Sequence, residues 1–157
     1  MSIAITSEAF AEGQRIASKY TCDAEDVSPP LAWSGLPEGT QSLALIVDDP
    51  DAPDPAAPKM IWVHWVLYNL PADCAGLPEA IAAEGLPAGT LEGNNDWKQT
   101  GYRGPCPPIG EHRYFFKLYA LDDVLPDLGL PAKDELLKAM EGHVLAEAVL
   151  MGTYSRS

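Results

Sequence analysis

Leu43-Ala44-Leu45-Ile46-Val47-Asp48-Asp49-Pro50-Asp51-Ala52-Pro53 runs from an apolar segment straight into a corner of carboxylates and prolines. A stretch of Leu, Ile and Val has the composition of a buried strand. Proline fixes its own φ and drives the preceding residue toward extended backbone, so Asp49 and Asp51 have few conformations open to them. Strand alternation places Leu43, Leu45, Val47 and Asp49 on one face. Asp49 therefore lies at the margin of a core, where a carboxylate needs a partner. A stiff acidic corner at the exit of a buried strand is how a rigid frame positions a polar site.

Outward from that corner, similar segments recur between turn signals. Ser42–Asp48, Ile61–Tyr68, Tyr114–Leu121 and Val144–Met151 read as strands. Proline- and glycine-rich stretches separate them, among them Asp54–Pro58 and Gly104–Pro108. One helix is expected at Ala132–Glu141, with Pro131 before it, Asp134 and Glu135 in its first turn and Gly142 after it. A weaker helical stretch lies around Glu79–Glu84. Gly85–Gly104 reads as a long loop, and loops of that length in a compact domain tend to be functional or mobile. The fold class that follows is mainly β and mostly antiparallel, with a small helical supplement.

The 157 residues fit one domain, 1–157, and the 46% apolar content is ordinary for a globular chain. Fifteen Pro and 13 Gly imply many loops and short strands. A net charge of −13 argues against nucleic acid and against an anionic membrane surface as partners. No apolar run reaches membrane-spanning length, so no membrane insertion is expected. The opening Met1–Glu8 lacks a basic and then apolar leader. Cys22, Cys74 and Cys106 are odd in number and widely spaced, which suggests neither a disulfide framework nor a zinc site. The expectation is a reduced, cytoplasmic protein, with Cys106 a small packed residue in a proline loop.

Two further segments bear chemistry. In Ile61–Tyr68 both faces are apolar, and alternation puts Trp62, His64, Val66 and Tyr68 together; a lone His there is by default a core residue with one hydrogen bond. In Gly110–Tyr119, His112, Tyr114, Phe116 and Leu118 share a face, and Arg113 lies opposite as an ion-pair or carbonyl-binding residue. Strand ends thus offer Asp49, Asp51, His64, His112 and Tyr114 to one pocket. Two His beside carboxylates suit anion binding, metal binding or acid–base work. The residues alone leave these open. There is no close His-x-His pair for a metal, and no Gly-x-Ser-x-Gly, phosphate loop or His-Glu-x-x-His.

Asp49-Pro50-Asp51-Ala52-Pro53, Trp62-Val63-His64-Trp65, and Gly104-Pro105 leading to Gly110-Glu111-His112-Arg113-Tyr114 resemble the phosphatidylethanolamine-binding protein family in order and spacing. Ser28–Trp33 and Gly104–Pro108 look like its bacterial and archaeal branch, the Raf-kinase-inhibitor-like proteins. The resemblance covers Thr21 to Tyr154. It implies a large antiparallel sheet packed on a smaller one, few peripheral short helices, and a small anion pocket at one end of the sheet. It carries Asp49, His64, His112 and Tyr114 over as pocket residues and Trp62, Pro105 and Cys106 as walls. Asp51 holds the loop by accepting hydrogen bonds more than it touches ligand.

The ligand implied is a small phosphorylated or carboxylated molecule, with no cofactor and no metal. A protein partner that the chain regulates or inhibits, and a homodimer, follow from the family alone. Val63 stands where animal members often carry another His, and the chain stops soon after Tyr154 without their C-terminal helix; both departures weigh against lipid binding and kinase regulation. If Asp49 raises the pKa of one His, anion affinity weakens as pH rises above about 6.5. The alternative is a hydrolase of small esters with His64 or His112 as base and water as nucleophile.

Overall fold

Eight strands form two antiparallel sheets, with one α-helix beside them, in the computed structural model, which describes residues 3–156. Met1, Ser2 and Ser157 lie outside the described residues. The strands are β1 (Ala4–Thr6), β2 (Leu31–Ser34), β3 (Ser42–Ala52), β4 (Met60–Pro71), β5 (Gly76–Leu77), β6 (Leu91–Glu92), β7 (His112–Leu121) and β8 (Val144–Tyr154). Helix α1 spans Lys133–Met140. The larger sheet runs β6-β4-β3-β7-β8 and the smaller β1-β2-β5. The expected strands thus appear, each longer than its apolar run, because cross-strand hydrogen bonding continues past the last buried side chain.

Strand β3 is the centre of the larger sheet, and its residues are buried throughout except Pro50. Leu43, Leu45 and Val47 join a core with Ile5, Leu31, Trp33 and Leu77 of the smaller sheet. Ala44 and Ile46 face the other way, against Leu125 and the α1 residues Leu136 and Met140. Each such Leu, Ile or Val contributes about 1.5–3 kcal/mol by leaving water. Helix α1 begins with the Glu135 carboxylate accepting the Ala132 N–H at 3.0 Å and ends before Gly142, whose φ of +82° suits glycine. The Glu79–Glu84 stretch is not helical; a single 3₁₀ turn forms at Ala83–Gly85.

Alternation holds along β7, where Tyr114, Phe116, Leu118 and Ala120 enter the inter-sheet core. It fails in β4. Val47 pairs with Trp65, but the next β3 residue, Asp48, pairs with Val63. His64 is the extra residue of a β-bulge, and bulges re-aim side chains. Val63, Val66 and Tyr68 face the helix side, while Trp65, Leu67 and Leu70 face the smaller sheet. His64 therefore does not share a face with Val66 and Tyr68, as a regular strand would require; its ring lies edge-on to Tyr114 at 5.3 Å.

Candidate functional site

The proline corner at the end of β3 delivers Asp49 beside His112, the first residue of β7. Asp49 Oδ1 accepts the Asp51 N–H at 2.7 Å, and Oδ2 lies 2.5 Å from His112 Nδ1. His112 Nε2 is 2.9 Å from the Ile109 carbonyl and 3.0 Å from that of Pro53. Carbonyls only accept, so Nε2 carries a hydrogen and donates it. A second proton must lie between Nδ1 and Oδ2. Burial pushes the Asp49 carboxyl up, opposed by the hydrogen bonds from His112 and the Asp51 N–H. The side chains of His112 and Asp49 are only 1% and 4% exposed, and both ring nitrogens are occupied from within.

Asp51 turns to the other side. Its carboxylate accepts the Arg113 N–H and Nε–H at 2.9 Å on Oδ2, and Nη2–H at 2.9 Å on Oδ1. Arg113 is thus the ion-pair residue its strand face predicts, and it holds the Asp51 carboxyl below the usual range. The pair fastens the corner to β7.

Beside the Asp49–His112 pair opens a cavity of about 320 Å³. His64 and Tyr114 line it. His64 Nδ1 lies 2.6 Å from the Arg103 carbonyl, so Nδ1 carries the hydrogen, and Nε2 has no hydrogen-bond partner of ordinary length among the described residues. Burial lowers the His64 pKa to about 4. The ring is neutral at pH 7 and presents a lone pair. The Asp49 carboxylate is thus the partner of His112, while burial governs His64. Burial and the Asp49 carboxylate also push the Tyr114 hydroxyl up, so it stays protonated and able to donate.

Aromatic walls flank this polar floor. Trp62 and Trp97 meet edge to face at 5.5 Å, and His64 meets Trp97 at 5.1 Å. The Arg103 guanidinium lies 4.9 Å from the Trp97 ring centroid. The opposite wall is made of two segments, around residues 20–26 and 102–108. Cys22 and Cys106 join them in a disulfide, which corrects the expectation of reduced cysteines; spacing along the chain hid a pair 84 residues apart. Cys22 N–H donates to the Pro105 carbonyl at 3.1 Å, and Gly104 N–H to Asp26 Oδ1 at 2.7 Å. A Cβ on residue 104 would collide with the Tyr20 carbonyl, so only glycine allows this approach.

Of the sequence-derived site residues, Asp49, Trp62, His64, Cys106, His112 and Tyr114 line the cavity. Asp51 and Pro105 do not; they brace the corner and the wall. Trp97, Arg103, Asp26 and Met60 line it too and were not singled out. The length of the Gly85–Gly104 loop was the one signal pointing to Trp97 and Arg103. Among the described residues no cluster of three or more His, Cys, Asp or Glu suits a metal ion, and no helix is long and apolar enough to cross a membrane.

Two packed antiparallel sheets with a buried Asp–His pair beside a small cavity at their edge form one recognisable arrangement. The sequence model described as phosphatidylethanolamine-binding protein matches residues 6–155, and the chain belongs to that family. A UPF0098 protein of Methanothermobacter thermautotrophicus is 53% identical over 153 residues, covering 97% of this chain and 98% of that protein. The crystal structure of CT736 from Chlamydia trachomatis, described as a homolog of phosphatidylethanolamine-binding protein, superposes with a TM-score of 0.89 at 42% identity, covering 99% of both chains. Escherichia coli YbcL, described as a member of the mammalian family, gives a TM-score of 0.88 at 31% identity over 100% of both chains.

Proposed function

We propose that this chain binds a small phosphorylated or carboxylated ligand in the cavity between the end of β3, the bulge of β4 and the start of β7. The observation that carries this reading is the unequal treatment of the two histidines. His112 is closed off with Asp49, whereas His64 Nε2 and the Tyr114 ring line an open cavity. The Tyr114 hydroxyl, kept protonated beside the Asp49 carboxylate, can turn its hydrogen to an anionic oxygen. The lone pair of His64 accepts the hydrogen of a protonated phosphate or carboxyl group. Family membership supports the same placement of the site. Titration with O-phosphoethanolamine at pH 7 should move the indole N–H signals of Trp62 and Trp97 along one saturating curve. Indole signals that stay put up to millimolar ligand would contradict the reading.

Ester hydrolysis has less support. His112 offers no free nitrogen, and a His64 base held at about 4 lies well below the range in which a general base works best. The regulation of a protein partner and a homodimer belong to this proposal on family likeness alone. Extension of the reading to one domain over 1–157 is supported by the core that both sheets share. The Cys22–Cys106 disulfide counts against a cytoplasmic location, since such bonds are kept reduced there as a rule.

A further inference from the structure

An anion entering a protein of net charge −13 needs a positive partner at the site itself. His112 is spent on Asp49 and two carbonyls. His64 gives its Nδ1 hydrogen to a backbone carbonyl and keeps a lone pair toward the cavity. Among the residues lining the cavity, one Lys or Arg remains: Arg103.

Arg103 is held in place by its main chain and left free at its charge. Its N–H donates to the His64 carbonyl at 3.2 Å, and its own carbonyl accepts from His64 Nδ1 at 2.6 Å. That reciprocal clasp sets the residue directly beside the bulge. The guanidinium makes no ion pair among the described residues; Nη1 donates to the neutral Gln99 Oε1 at 3.1 Å. It lies over Trp97, whose ring meets Trp62 edge-on. The two carboxylates that line the cavity are otherwise engaged: Asp26 accepts from Gly104 and Asp49 pairs with His112. A planar fork with one donor on Gln99 and none on a carboxylate among the described residues, carried by a residue that lines a cavity with aromatic walls, suits a phosphate or carboxylate.

Resting on the binding function above, we propose that Arg103 supplies the charge that recognises the anion, and that the ligand carries this anion on an apolar body that packs against Trp62 and Met60. His64 and Tyr114 then orient the ligand, and the guanidinium holds the charge. The aromatic surface favours an aryl or alkyl phosphate or carboxylate over the bare ion.

Calorimetric titration of the oxidised protein with phenyl phosphate at pH 7 tests this, with inorganic phosphate and neutral benzyl alcohol as comparisons. Arg103→Gln should weaken phenyl phosphate by about tenfold or more, the loss expected for a charge-assisted contact. Arg103→Lys should lose less, and benzyl alcohol should bind both variants within about twofold of the parent, showing an intact cavity. His64→Gln, which removes the lone pair facing the cavity, should weaken phenyl phosphate as well, but by less than Arg103→Gln. Parent-like phenyl phosphate binding by Arg103→Gln, with a loss in His64→Gln, would overturn the assignment while leaving anion binding in place. A parent protein that binds neither phenyl phosphate nor O-phosphoethanolamine overturns both together.

Discussion

His64 enters the cavity as the extra residue of β4, with one nitrogen committed to a carbonyl and its ring buried among aromatic residues. In an unfolded chain such a ring titrates near about 6.5; in the fold burial lowers it to about 4. As pH falls, the unfolded state therefore takes up the proton first. The stability this group contributes is complete above the unfolded value and is lost between the two, by roughly 3 kcal/mol over the whole interval. Asp51, with its pKa depressed by Arg113, adds a loss at lower pH still, below its unfolded value. Urea midpoints at pH 7, 5.5 and 4.5 should fall more steeply for the parent than for His64→Gln; equal slopes would refute the burial argument. At this scale the identity of the pocket residues was legible from Asp49, His64, His112 and Tyr114. Their proton states were not, because these depend on which carbonyls the folded loops bring up, such as those of Pro53, Ile109 and Arg103.

The strands show the same division. Leu43–Val47 and Tyr114–Leu121 announce themselves by composition and alternation, and their two faces meet the two cores as alternation requires. The bulge at His64 leaves no mark in the sequence, since Trp62, Val63, His64, Trp65 and Val66 are equally at home on either face. Short strands such as β5 and β6 have two residues each and exist through pairing with β2 and β4. The wall around residues 102–108 is a loop element stapled to the segment around Cys22, and only tertiary contact reveals it. Replacing both Cys22 and Cys106 by Ser frees a constraint spanning 84 residues, at an expected cost of about 2–5 kcal/mol. Hydrogen exchange should quicken at the Cys22 and Gly104 amides, which cross-link the two wall segments, more than in β3. A double variant as stable as the parent, with wall amides equally protected, would show that the wall stands without its staple.

Over the whole molecule, 23 acidic side chains against 10 basic ones make the surface repel anions at long range. The proposed anion would have to be held locally, within the cavity, where salt screens it from the rest of the surface. The two sheets place that cavity where strand ends, a bulge and a stapled loop converge, so its polar groups are fixed before any ligand arrives. The central claim is that one histidine is sealed and the other open. Ring ¹⁵N spectra of the full protein at pH 7, recorded during addition of O-phosphoethanolamine, test it most directly. The account predicts that His64 Nε2 shifts along a saturating curve while both nitrogens of His112 hold their positions. A response from His112 with His64 unmoved, or silence from both rings, would contradict it.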